Sequence, residues 1–459
     1  MISCNYKLLL KYFIWFSLAV SAGSCVALDR QPNADYRARR QALAQSMNGG
    51  VAILFAGTEA EGPNAVYGFR QDDNFYYLTG WSEPGAALLI AAQVVAKENV
   101  PGRAYSEILL LPVHNLAQEK WTGPKLTADN PQAPSITGFD RVVNLDQLPL
   151  ELVRNLGANA ATIYVDLAQD GETSPSASSL EWLRRTNSFP LQTSTRDVKP
   201  LMAQLRVVKD KGEVERIRHA TDASIAAHMA ALQMIKPGLN EHDVDARMQY
   251  EFMKHGCDRP AYAPIVGTGA NGTVLHYSAD DAPIRKGDLV VMDVAGEYAM
   301  YASDITRTAP ADGKFTDRQR EIYNVVLGAQ QAVMESFRAG KSKLSGHATD
   351  SLFQVAYNYI NSHGKDLHGQ PLGQYFIHGV SHYVGLNVHD VGNTSAPVPR
   401  GAVFTVEPGI YIPEEKIGVR IEDIVWVSPE GDLVNLTAKL PHTAEEIEAA
   451  MAGKFASKQ

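Results

Sequence analysis

FIHGVSHYVGLNVHDVG at residues 376–392, followed by GAVFTVEPGIY at 401–411 and GVRIEDI at 418–424, decides how the rest of the chain is understood. The stretch sets His378, His382, His389, Glu407, Arg420 and Glu422 among glycines and β-branched residues, which favour close turns and strands. Imidazoles and carboxylates at that density are the donor set of a metal site. Any one of them alone is more often a surface group or a hydrogen-bonded core residue. A second copy of the pattern separates the two possibilities.

That copy lies upstream. GDLVVMDVAGEY at 287–298 matches GAVFTVEPGIY, with Gly287 against Gly401 and Asp293 against Glu407, both pairs 114 residues apart. Asp304 in ASDITRT corresponds to Glu422 in VRIEDI, across a slightly longer connection in the second copy. Each half opens with amphipathic helical pattern (213–235 and 243–255; 317–337 and 348–363) and continues into strands, which predicts an internal pseudo-two-fold repeat with helices outside a bent sheet. Asp293 and Asp304 flank a turn expected near Tyr298 and Ala299, so they are expected as cross-strand neighbours about 5 Å apart at Cβ. Carboxylates that close repel unless one is protonated or a cation lies between them. Glu407 and Glu422 repeat the arrangement. Four carboxylates with one imidazole suit two divalent cations sharing an activated water. Oxygen-rich donors favour Mn²⁺, with Zn²⁺ or Co²⁺ also fitting.

These residues also carry a family likeness. VLHY at 274–277, MDVAGEYAMYASDITRT at 292–308, HGVSHYVGLNVHD at 378–390, TVEPGIYI at 405–412 and GVRIEDI at 418–424 together resemble aminopeptidase P (Xaa-Pro aminopeptidase). RRQALAQSM, DNFYYLTGWSEPGAALLI and LRVVKDKGEVERIRHA resemble its N-terminal domain and linker. The resemblance implies the pita-bread fold shared with methionine aminopeptidase, prolidase and creatinase. It implies that Asp293 binds one metal, that Asp304 and Glu422 bridge both, and that His382 and Glu407 complete the other. It further implies Glu407 as general base, His276 and His389 on the substrate and its developing oxyanion, His378 lining the pocket, and Arg420 and Tyr411 close behind. The implied reaction removes an N-terminal residue that precedes proline, and members of the family often form dimers or tetramers. Prolidase, a dipeptidase on the same fold, is the alternative; a metal-free binding or creatinase-like protein is less consistent with the intact ligand set.

The remaining sequence sets the frame. Residues 1–27 carry Lys7 and Lys11, an apolar run from Tyr12 to Val20 and the small residues SAGSCVA, the order of a secretory signal peptide. The apolar run is too short for a permanent membrane span. Removal after Ala27 is expected, with Cys25 as a weaker lipid-attachment alternative, giving an exported, periplasmic or secreted protein. Loss of Cys4 and Cys25 leaves Cys257 without a disulfide partner. The chain of 459 residues is 45% hydrophobic and 20% charged, as soluble folds are. Its net charge of −9, or −11 without Lys7 and Lys11, argues against nucleic acid. Residues 28–198 alternate short apolar runs (51–56, 75–78, 86–91, 108–111, 162–165) with helical stretches (35–47, 178–186), which predicts a mixed α/β domain roofing the site. Residues 199–459 form the expected catalytic domain.

Three competing motifs are weaker. Gly267-Thr-Gly-Ala-Asn-Gly272 matches the dinucleotide fingerprint, but strand-like sequence follows where a helix must hold pyrophosphate, so a tight loop positioning His276 is expected. Ser381 has a histidine where a nucleophile elbow needs its second glycine. His378 and His382 lack the glutamate of H-E-x-x-H and are expected in extended chain.

Overall fold

The computed structural model describes residues 29–47, 49–58, 67–92, 105–156, 162–167, 193–346 and 351–455. The expected signal peptide and the helix expected over 178–186 lie outside the described residues.

The N-terminal part is a mixed sheet with helices. In chain order it comprises α1 (Asn33–Ser46), β1 (Gly50–Phe55), α2 (Asp73–Thr79), β2 (Ala87–Ala92), β3 (Tyr105–Leu111), α3 (Leu116–Thr122), α4 (Ala133–Thr137), β4 (Arg141–Asn144), α5 (Leu148–Asn155), β5 (Thr162–Val165) and β6 (Ser194–Asp197). The strand order is β4-β3-β2-β1-β5-β6. β1, β2 and β3 pair antiparallel, while β3/β4, β1/β5 and β5/β6 pair parallel. One expectation is corrected here: Phe75–Leu78 is helical, inside α2. Asp72 caps the helix by accepting from the Phe75 N–H, and Gly80 closes it at φ 60°. A capping pair at both ends outweighs the strand preference of the Phe-Tyr-Tyr run.

Next, α6 (Lys199–Arg206) leads to a pair of outer helices, α7 (Lys211–Met234) and α8 (Glu241–Lys254), each opened by a capping box: Asp210 with Glu213, and Asn240 with Asp243. The strands that follow are β7 (Arg259–Pro260), β8 (Ile265–Thr268), β9 (Leu289–Asp293), β10 (Gly296–Tyr298), β11 (Tyr301–Ala302) and β12 (Thr306–Pro310). The second half repeats the plan with α9 (Asp317–Ser336), α10 (Leu352–His363), β13 (Val403–Val406), β14 (Gly409–Ile412), β15 (Ile417–Arg420), β16 (Asp423–Val427) and β17 (Leu433–Asn435), then α11 (Ala444–Met451). Gly287 and Gly401, aligned by the repeat, sit at φ +86° and +84°, a left-handed conformation that selects glycine in both copies.

The halves meet edge to edge. Thr306 and Glu422 form a β-bridge between the hairpins, with Glu422 N donating to Thr306 O at 3.1 Å. Helix and sheet faces of both halves share one core that includes Phe252, Met292, Tyr323, Phe404 and Val425. A second cluster joins Leu43, Phe75 and Tyr76 of the N-terminal part to Met300, Tyr301, Val384 and Ile424. The tip of the first carboxylate hairpin is therefore buried against the N-terminal part.

Candidate metal centre

In the second hairpin, pairing of Val406 with Asp423 and of Gly409 with Arg420 places Glu407 opposite Glu422. The first hairpin departs from expectation. Asp293 pairs with Thr306, because Tyr298 pairs with Tyr301 and the two-residue loop between them is Ala299-Met300. Both loop residues have positive φ, 49° and 74°, as a primed hairpin turn requires, and both are buried. A turn centred one residue later moves the partner by two, so Asp304 is a diagonal neighbour of Asp293 on the same face. Both carboxylates still enter one cavity.

That cavity, of about 600 Å³, is lined by Asp293, Asp304, His382, Glu407, Glu422, His276, His378, His389 and Arg420. The residues named from the sequence as ligands or substrate contacts thus share one cavity, with Tyr411 behind Arg420. Ala263, Ile265, Leu275 and Val388 supply apolar wall. No helix carries His378 or His382, as expected. The segment instead runs beside β13, with Thr405 N donating to His382 O and Glu407 N to Val380 O, both at 3.0 Å, which sets the imidazole beside the carboxylate.

Asp304, His382 and Glu422 each offer a ligand atom within 4.8 Å of one another. His382 Nε2 lies 3.2 Å from Asp304 Oδ2 and 3.3 Å from Glu407 Oε1, and Thr405 Oγ1 donates to that Glu407 oxygen at 2.9 Å. Thr306 Oγ1 donates to Glu422 Oε2 at 2.6 Å. Asp293 is held by Tyr262 OH at 2.7 Å and Arg420 Nη2 at 2.6 Å. Arg420 also donates to Tyr411 OH at 2.8 Å, and that hydroxyl lies 2.9 Å from His378 Nε2. His378 Nδ1 donates to Gly379 O at 2.7 Å, so Nε2 of the neutral ring accepts from the Tyr411 hydroxyl.

Burial, followed by the charge of its carboxylate neighbours, drives Glu422 well above the usual carboxylate range. Burial likewise raises Asp293, against the pull of Arg420, and lifts Glu407 to about 7 despite the His382 charge. Burial disfavours the His382 imidazolium, yet the Asp304 hydrogen bond and the Glu407 charge outweigh it and hold the ring up to about 9. Burial and then Arg420 bring His378 down to about 4, so it is neutral at pH 7. Acids crowded this closely are stabilised in their charged form by cations. The donor set of carboxylates with one imidazole and no thiolate fits hard or borderline divalent ions.

A family model described as Metallopeptidase family M24 matches residues 215–429, and one described as Aminopeptidase P, N-terminal domain, matches 36–164. Xaa-Pro aminopeptidase of Escherichia coli (strain K12) is 34% identical over 445 residues, covering 91% of this chain and 97% of the relative. The chain belongs to the aminopeptidase P family. The Haemophilus influenzae Xaa-Pro aminopeptidase is 32% identical, with 92% and 97% covered. Among solved structures of this family, Escherichia coli aminopeptidase P with the inhibitor Pro-Leu superposes with TM-score 0.79 at 33% identity, covering 93% of this chain and 99% of that one. Proline aminopeptidase P II from Yersinia pestis gives TM-score 0.77 at 32% identity, with 92% and 100% covered. The pita-bread architecture and a divalent-metal peptidase chemistry come with membership.

Some residues of this aminopeptidase P site escape sequence reasoning. Tyr262, Thr306 and Thr405 hydrogen-bond the carboxylates, yet a lone tyrosine or threonine in a strand-rich stretch looks like ordinary packing. Glu241 is fully buried at the start of α8 and receives Thr268 N (2.7 Å), Asn271 Nδ2 (3.1 Å), Tyr277 OH (2.9 Å) and Ala282 N (2.8 Å). It anchors the loop that presents His276. The Gly267–Gly272 segment before it is β8 followed by a single 3₁₀ turn, and it packs against Gly418 so closely that a Cβ there would fall 1.8 Å from Gly272 O. No helix follows the segment to offer its N-terminus to a pyrophosphate.

Proposed function

We propose that this enzyme releases the N-terminal residue of peptides whose second residue is proline, using two divalent ions, with Mn²⁺ the favoured metal. The observation that carries the reading is the convergence of four carboxylates and His382 in one cavity, on a scaffold that a curated Xaa-Pro aminopeptidase shares over nearly its full length. Asp293 would serve one ion, Asp304 and Glu422 both, and His382 with Glu407 the other. Bound ions would polarise the scissile carbonyl and acidify water. Glu407 takes the proton of the attacking water, and His276 and His389 donate to the carbonyl oxygen as charge develops. Neutral His378, oriented through Tyr411 by Arg420, lines the substrate side. The wall of Ala263, Ile265, Leu275 and Val388 suits an apolar ring. Proline needs such a dedicated site because its amide lacks an N–H and its ring restricts the preceding residue.

The test is a peptide panel. Cleavage of Ala-Pro-Ala to free alanine is expected; success on Ala-Pro with failure on Ala-Pro-Ala would instead make the enzyme a prolidase, which the named relatives do not favour. His389→Ala is expected to lower kcat by roughly 10²-fold at unchanged metal content, the loss expected of one oxyanion donor. A fall in metal content would show His389 to be a ligand. Among the described residues no helix is long and apolar enough to cross a membrane. Export rests on the order of residues 1–27, and a dimer or tetramer on family resemblance; cell fractionation and sedimentation test the two.

A further inference from the structure

A run of alternating charges leads from the first carboxylate hairpin to the loop of His389, and it passes through the N-terminal part. Glu297 of β10 pairs with Arg70 Nε at 2.8 Å, and Arg70 Nη1 pairs with Asp73 Oδ1 at 2.8 Å while Nη2 donates to the Leu386 carbonyl. Asp73 Oδ2 lies 3.2 Å from Arg206 Nη2, which reaches Asp390 Oδ1 at 2.6 Å. Lys209 Nζ closes on Asp390 Oδ2 at 2.9 Å. The Asp390 and Lys209 side chains are 1% exposed, and that of Arg206 is 3% exposed.

The loop is moulded around these pairs. A Cβ on Gly385 would fall 2.1 Å from Asp390 Oδ2 and 2.9 Å from Lys209 Cε, and Gly385 O accepts from Ala302 N of the hairpin at 2.8 Å. Asp390 follows directly on His389, whose ring packs edge-on to His382 with centroids 4.3 Å apart. Apolar contacts already join the two parts of the chain, and those are non-directional. Charge-assisted hydrogen bonds fix distance and angle.

We propose that Arg70, Asp73, Arg206 and Asp390 are positioning residues: they hold the His389 imidazole at a set distance from the Asp293/Asp304 hairpin, so the N-terminal part belongs to the catalytic apparatus. The inference rests on the role given above to His389. It acts through geometry at the loop and leaves the carboxylate cluster untouched.

A double-mutant cycle on Mn²⁺-loaded full-length protein with Ala-Pro-Ala tests it. Asp73, 18% exposed at its side chain, is chosen because water can enter the space it leaves. Asp73→Ala is expected to lower kcat about 10-fold, with KM within about twofold and metal content unchanged. In a His389→Ala background the same change is expected to alter kcat by less than about twofold. Independent, multiplying losses, an unchanged kcat for Asp73→Ala, or loss of metal would overturn the inference. If His389→Ala alone costs nothing, the reading of His389 fails first, and the inference with it. Should Asp73→Ala not fold, Arg70→Lys replaces it: the charge stays, the contact with Leu386 O goes, and the same pattern in the cycle is expected.

Discussion

Replacing Glu407 by alanine is expected to lower turnover by more than about 10³-fold in a protein that remains folded. The change removes the group that takes up the water proton, a contribution of about 10²–10⁴-fold in general base catalysis. It also removes a proposed ligand, so metal content is expected to fall. The fold should tolerate it for an electrostatic reason. Glu407 faces Glu422 across the second hairpin, and burial has already raised both acids, so deleting one relieves repulsion. His382 keeps Asp304 as a partner. Kinetics on an Xaa-Pro peptide, metal analysis and circular dichroism read the outcome; activity within about tenfold of the parent would refute the assignment. Glu407→Gln, which preserves shape and the acceptor facing Thr405, is expected to be nearly as inactive, since an amide takes up no proton.

Stripping divalent ions with a chelator is expected to abolish activity, and Mn²⁺ added back is expected to restore more of it than Zn²⁺ or Co²⁺. Oxygen-rich ligation with one imidazole is the reason for that order. A folded-state ligand also raises stability, by about 2.7 kcal/mol at a free concentration 100 times its Kd. Loading should therefore raise the thermal midpoint alongside kcat. Activity that survives exhaustive chelation would sink the two-ion reading. Fewer than about one ion per chain after Mn²⁺ loading would reopen a metal-free binding role.

How far the sequence is legible can be argued from individual residues. The helices over 211–234 and 241–254 are legible from their amphipathic pattern, expected at 213–235 and 243–255, and the capping boxes of Asp210 with Glu213 and of Asn240 with Asp243 start each of them two residues earlier. The aromatic run at 75–78 misleads because residue preference and capping disagree there, and the Asp72 and Gly80 caps prevail. The hairpin at 293–306 shows a finer limit. The alternation of faces is local and survives, so Asp293 and Asp304 still point the same way. The exact partner depends on which two residues accept positive φ. Ala299 and Met300 do so in a tip buried against Tyr301 and the N-terminal part, with Ala299 N held by Asp258 Oδ2 at 2.8 Å.

By itself the sequence determined the repeat, the presence of the long outer helices, the donor types and the family, because each depends on residue identity at short or fixed spacing. Tertiary structure alone decided which groups meet behind the expected ligands. Arg420 reaches Asp293 across 127 residues, and Arg206 reaches Asp390 across 184. Such contacts are set by the packing of whole elements, through the bridge at Thr306 and Glu422 and the shared apolar cluster under the hairpin tip. No periodicity or spacing encodes them, since either side chain alone is only a buried charge that must find a partner somewhere. The opening stretch thus supplies half of the metal centre, and the fold supplies both its other half and the charges that hold His389 in place.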